Sequence, residues 1–181
     1  ADILRTAKLR VLDTMLASEF TVLTRALGRI AAGHFSSRDF TLDRLRAALQ
    51  AYVLEFPVYR TYITAARVSD ADRQLIDGVI ARARDNWAGP DPEIFDFLRE
   101  AITGDLANDR GYSAPRVRNF ALKLQQFTGP LMAKSLEDTA FYRYPRLLAL
   151  NEVGGEPADP VPGTAGFHAA QLRLRTELPH G

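Results

Sequence analysis

The chain has 181 residues, of which 46% are hydrophobic and 25% charged; it has no cysteine and a formal net charge of +1. That balance suits one globular domain with a substantial core, or a domain plus an appendage, and it excludes disulfides, thiol nucleophiles and zinc–thiolate sites. A charge so near zero offers no broad field to nucleic acid or an anionic membrane, so neither is expected as a partner.

Residues 2–32 carry Leu12, Leu16, Phe20, Leu23, Leu27 and Ile30 at helical spacing, with Arg5, Lys8, Arg10, Asp13 and Arg25 on the other face. This pattern predicts one long amphipathic helix stopped near Gly33. A second helix is predicted from Thr41, with Phe40 and Leu45 placed as a hydrophobic staple and Leu45, Leu49, Tyr52 and Val53 as its buried stripe. Pro57 ends it, because a residue before proline disfavours α geometry. A third begins at Ser69, with Asp72 three residues on as in a capping box and Leu75, Ile76, Val79 and Ile80 as the apolar face.

Residues 86–92 form a breaker cluster. Asp91 as N-cap and Pro92 as the first helical residue predict a fourth helix through Phe95, Leu98 and Ile102 to Gly104. A fifth is predicted from about Ser113 through Val117, Phe120, Leu124 and Phe127, interrupted at Gly129-Pro130. After Phe127 no clean period survives. Residues 151–166 are dense in glycine and proline and read as loop, and a short last helix is expected over 167–177. No segment alternates long enough to make a strand. The expected class is all-α with a loop-rich C-terminal third.

No apolar run reaches the roughly 20 residues of a membrane span, and the first residues read as amphipathic helix rather than a signal peptide. The lack of cysteine fits a reducing compartment, and a cytoplasmic setting is expected. The missing initial methionine and the abrupt end at Pro179-His180-Gly181 suggest a segment of a longer protein.

His34, His168 and His180 are too scattered for a metal site by spacing, and Gly154-Gly155 lacks the Lys-Ser/Thr of a phosphate loop. No metal or cofactor is expected. The informative stretch is 125–156. Glu137 and Asp138 are adjacent, so on a helix they point about 100° apart and cannot both serve one bond. Paired glycosidase carboxylates stand about 5 to 9.5 Å apart across a sugar, which Glu137 or Asp138 could reach with Glu152 only through tertiary folding. The alternative is that these acids cap helices and pair with Lys134, Arg143 and Arg146. Phe141, Tyr142 and Tyr144, mixed with Arg143 and Arg146, suit sugar rings that stack on an aromatic face while their hydroxyls bond; the same composition also occurs in ordinary cores.

That stretch resembles the signature of the maltooligosyltrehalose synthases, members of the α-amylase superfamily. The resemblance rests on Phe127-Thr128-Gly129-Pro130 through Lys134, on Glu137-Asp138-Thr139-Ala140-Phe141-Tyr142-Arg143-Tyr144, and on Arg146 through Gly155. Phe56-Pro57-Val58-Tyr59-Arg60-Thr61-Tyr62 agrees more loosely, as do Phe167-His168-Ala169-Ala170 and Pro179-His180. Ser135 stands where the family usually has glycine, Pro145 where asparagine or another residue is common, and Glu156 where aspartate is usual.

The resemblance implies an enzyme that isomerises the reducing-end α-1,4 bond of a maltooligosaccharide into an α,α-1,1 bond by double displacement, with water kept out. It places the nucleophile and the acid/base before this segment and the stabilising aspartate after it, so no catalytic residue is expected here and the isolated segment should be inactive. On that reading residues 1–126 are a helical insertion, and residues 127–181 are the signature segment returning toward the catalytic barrel of the same polypeptide. Tyr59, Arg60, Lys134, Glu137, Asp138, Phe141, Tyr142 and Arg143 become the expected substrate-binding wall of the reducing-end pocket. The competing readings are a stand-alone helical ligand-binding or protein-interaction module, and the partner trehalohydrolase of the same superfamily.

Overall fold

The computed structural model describes residues 2–64, 68–140 and 164–177. The described residues are all-α, as the periodicity predicts, with helices α1 (Asp2–Asp13), α2 (Ala17–Ala31), α3 (Leu42–Glu55), α4 (Asp70–Asp85), α5 (Ile94–Thr103), α6 (Ala114–Ser135) and α7 (Thr164–Glu177). A 3₁₀ turn over Asp105–Asn108 joins α5 to α6, and a π-turn over Leu136–Ala140 continues α6. Helix α6 packs against α1, α2 and α5, while α3 packs against α2, α4 and α5. Short α5 sits among these neighbours and buries seven of its ten residues, Phe95 and Leu98 completely. At about 1.5–3 kcal/mol for each large apolar side chain removed from water, that burial is why so short a helix forms.

Three of the predicted caps hold. Thr41 accepts a hydrogen bond from the Arg44 amide, Ser69 Oγ accepts one from the Asp72 amide at 3.0 Å, and Gly104 ends α5 at φ 82°. Leu45, Leu49, Tyr52 and Val53 are buried, and Phe56 is extended ahead of Pro57.

Five expectations are corrected. The first segment is two helices, not one. Thr14 turns its hydroxyl back onto the Arg10 carbonyl at 2.6 Å and the Leu16 amide reaches Val11, a wide turn that lets Leu12 and Phe20 both enter the core. Lys8, placed by periodicity on the solvent face, is buried: its ammonium donates to the carbonyls of Val53 at 3.2 Å, Leu54 at 3.1 Å and Phe56 at 2.5 Å. It thus caps the C-terminus of α3, where the chain supplies no glycine.

Asp91 does not cap α5. Its φ of 58° is wrong for an N-cap and its carboxylate pairs with Arg44; residues 92–96 instead enter through an i→i−3 turn and the α-helix starts at Ile94. Finally, α6 runs through Gly129-Pro130 to Ser135 without a break. Pro130 and Gln126 both lie on the exposed side, so the carbonyl that loses its partner faces solvent, while Leu131 and Met132 are buried and hold the next turn. Helix α7 likewise begins three residues before its predicted start, taking in Gly166.

Trp87, the chain's only tryptophan, closes the α4–α5 corner. Its Nε1 donates to the Pro90 carbonyl at 3.1 Å and its ring meets Phe95 edge-on at 5.3 Å. A Cβ at Gly89 would lie 2.4 Å from that indole, so a side chain there would have to push the ring aside.

Candidate functional site

Pro57 ends α3, and residues 57–64 continue without helix or sheet partner until they meet α6. Gln125, buried within α6, fastens them. Its Oε1 accepts from the Ile63 amide at 2.8 Å and from Thr61 Oγ1 at 3.3 Å, and its Nε2 donates to the Ile63 carbonyl at 3.0 Å. One side-chain amide thus does for Ile63 what a neighbouring strand would do, satisfying both of its backbone groups.

The fastened segment carries Tyr59 past Gly129 to the end of α6. There its hydroxyl donates to Glu137 Oε1 at 2.5 Å. The Tyr59 hydroxyl is pushed up to about 12, chiefly by this hydrogen bond, then by burial and by the carboxylate charge. It therefore stays protonated, a donor, throughout the neutral range.

Glu137 and Asp138 sit in the π-turn and serve different partners, as their adjacency predicts. Asp138 accepts from Lys134 at 2.6 Å, and the hydrogen bond to that carboxylate raises the Lys134 ammonium above its ordinary value. Thr139 Oγ1 closes the turn on the Lys134 carbonyl at 2.8 Å. Single π-turns of this kind occur often at functional sites. Arg60 does not join the carboxylates: its guanidinium carbon lies 4.9 Å from the centroid of the exposed Tyr62 ring.

Of the expected wall, then, Tyr59 and Glu137 are in contact, Lys134 and Asp138 form the adjoining pair, and Arg60 is turned to Tyr62. Phe141, Tyr142 and Arg143 lie outside the described residues, as do Tyr144, Arg146 and Glu152. Pairing of Lys134 with an acid is the bland reading of these charges. The Tyr59–Glu137 bond, across 78 residues of sequence, is what periodicity did not offer. Gln125 and Tyr62 were not singled out either. The one available signal was an amide set in an apolar helical stripe between Leu124 and Phe127.

Ser135, at the usual glycine position of the resembling family, is fully buried, and its Oγ has no hydrogen-bond partner among the described residues. Ser135→Ala is expected to raise stability by about 1 kcal/mol, by removing an unpaired buried hydroxyl and improving helix propensity. Urea unfolding of the two proteins measures it; a loss of stability would mean that the hydroxyl has a partner. Among the described residues no group of three or more histidines and carboxylates is placed to hold a metal, and no helix is long and apolar enough to cross a membrane.

No protein-family model matches the chain, and no solved structure does. Over 57 residues, 30% of its length, it is 54% identical to proteins named "Putative maltooligosyl trehalose synthase" in two strains of Mycobacterium tuberculosis, CDC 1551 / Oshkosh and H37Rv. The matched stretch is 8% of the length of each of these relatives. The likeness is partial, and it is confined to that stretch.

Proposed function

We propose that this chain is an internal segment of a maltooligosyltrehalose synthase, an intramolecular transglucosylase, and that it shapes the pocket for the reducing-end glucose without supplying a catalytic carboxylate. The observation that carries this reading is the 54% identity over 57 residues to proteins of that name. The meeting of Tyr59 with Glu137 supports it, because it joins two separate segments of the family resemblance on one surface.

In this role residues 1–126 are scaffold, and residues 127–181 carry the signature toward the barrel of the same polypeptide. Tyr59, Lys134, Glu137 and Asp138 present a protonated hydroxyl, an ammonium and two carboxylates, a set of donors and acceptors suited to sugar hydroxyls. Arg60, Phe141, Tyr142 and Arg143 complete the wall. Its task is to hold the released glucose while it turns and to keep water from the glycosyl-enzyme, since water arriving first gives hydrolysis. The setting is cytoplasmic and the ligand a maltooligosaccharide.

Incubated with maltohexaose, the folded 181-residue chain should cause no loss of reducing ends while its helical circular dichroism stays intact. Clear loss would mean that the catalytic carboxylates lie within these residues. In the full-length enzyme, Phe141→Ser should raise free glucose relative to trehalosyl product; an unchanged ratio counts against the wall.

A further inference from the structure

On the side of α6 served by Ile63 and Thr64 lies a cleft of about 230 Å³, bounded by the N-terminal part of α4, the 3₁₀ turn and α6. We propose that this cleft is a second glucosyl site, holding one neutral sugar ring of an α-glucan; its ligand class rests on the functional reading above, and its location does not.

The inner side carries apolar groups, with Ile63 and Ala121 buried and Val68 half-buried. The rim is polar: Arg73, Asp105, Asn108 and Arg118. An apolar inner side under planar, bidentate polar groups matches a hexose, which offers a C–H face and a ring of hydroxyls. The size agrees too. Such a volume equals about eight water molecules at roughly 30 Å³ each, and falls below the roughly 300 Å³ at which pockets for drug-sized ligands begin.

Asp105 is the charged acceptor of the rim. It accepts from Arg73 at 2.8 and 3.3 Å and from Thr103 Oγ1 at 2.8 Å. The bond from Arg73 is the main cause holding its carboxyl below the usual value, so it is ionised at neutral pH and only accepts hydrogen bonds. A carboxylate has about four acceptor positions, and three are occupied, which leaves one for a ligand hydroxyl. Arg73, with Arg99 3.9 Å away, offsets the charge of Asp105. Arg118 and Asn108 are exposed, and their side chains have no hydrogen-bond or ion-pair partner among the described residues. They supply the free donors, and Asn108 an acceptor as well.

The test is a titration of the methyl-labelled 181-residue chain with maltotriose, followed by NMR. Saturable shifts are expected at the methyls of Ile63, Ala121 and Leu122, with a dissociation constant in the millimolar range. Arg118→Ala, an exposed change on α6, should weaken binding at least fivefold with the circular dichroism unchanged, and Asn108→Ala should weaken it less. Shifts confined to Met132 and Thr139 would overturn the cleft while leaving the Tyr59–Glu137 wall standing. No shift anywhere overturns the cleft alone, since the enzymatic reading is decided by the full-length protein. If inorganic phosphate moves Ile63 and Leu122 and maltotriose does not, the site is an anion site and the proposal fails.

Discussion

Lys8→Met should destabilise the chain by about 2–4 kcal/mol and lower its Tm by roughly 5–15 °C. Methionine keeps the apolar stem but gives the carbonyls of Val53, Leu54 and Phe56 nothing to bond. Two of those carbonyls end α3 and have no partner within the helix, and an unsatisfied buried acceptor costs about 1–3 kcal/mol. Opposing this loss is the relief of a buried charge. Desolvation lowers the Lys8 ammonium from 10.5 to about 8, against a smaller raising effect from Glu55. At neutral pH Lys8 is still charged, so its three bonds are in place and their loss outweighs the relief.

The same residue sets a pH dependence. Between pH 8 and 10.5 the unfolded chain holds the Lys8 proton and the folded chain has released it, so the unfolded state binds more protons and stability rises with pH. Below pH 8 the desolvation cost is fully present, and above 10.5 it is gone. At about 1.4 kcal/mol per pH unit the gain approaches about 3 kcal/mol. The stability difference between wild type and Lys8→Met, followed by urea unfolding from pH 7.5 to 10.5, should therefore widen by that amount. A constant difference would mean that folding leaves the proton affinity of Lys8 unchanged.

Gln125→Leu, nearly the same size, should cost about 2–4 kcal/mol. It strands the buried amide and carbonyl of Ile63 and frees the segment that delivers Tyr59. Gln125→Glu keeps the acceptor for the Ile63 amide and loses the donor to its carbonyl, so it should fall short of the full release while adding a buried charge. Amide exchange at Ile63 separates the effects: in Gln125→Leu it should rise toward the rate of an unprotected amide, and protection equal to wild type would show that the fastening lies elsewhere. The hydroxyl of Tyr59 should also return toward its ordinary value, read by absorbance titration.

What was legible in the sequence follows from what is local. Thr41, Ser69 and Gly104 act on backbone groups within three or four residues, so their identity announces their role. The buried stripes of α3, α4 and α5 were legible because each helix has one face turned to a shared core. Lys8 was not, because its acceptors lie 45 to 48 residues away and periodicity treats any lysine as solvent-facing. Pro130 misled in the opposite sense. It does break the ladder, but on the exposed side, where the loss is small against the burial of Leu131 and Met132. Asp91 has the residue type of a cap and spends its carboxylate on Arg44. For the candidate site, the resemblance pointed to Glu137 and Asp138; the pairing of Asp138 with Lys134 is local, four residues apart, whereas only the tertiary fold brings Tyr59 to Glu137.

The lone indole gives this chain an uneven optical voice. Because Trp87 is the only tryptophan and sits where α4 turns into α5, tryptophan emission witnesses that corner and not the molecule. Parting of Trp87 from Phe95 and the Pro90 carbonyl would change the spectrum while α1, α2 and α6 remained folded. Conversely, events at Tyr59 and Glu137 would pass unseen. Titrations of the variants above followed by fluorescence alone would thus date the opening of one corner, and a far-ultraviolet signal recorded alongside it is what tells local fraying from collapse of the whole helical array.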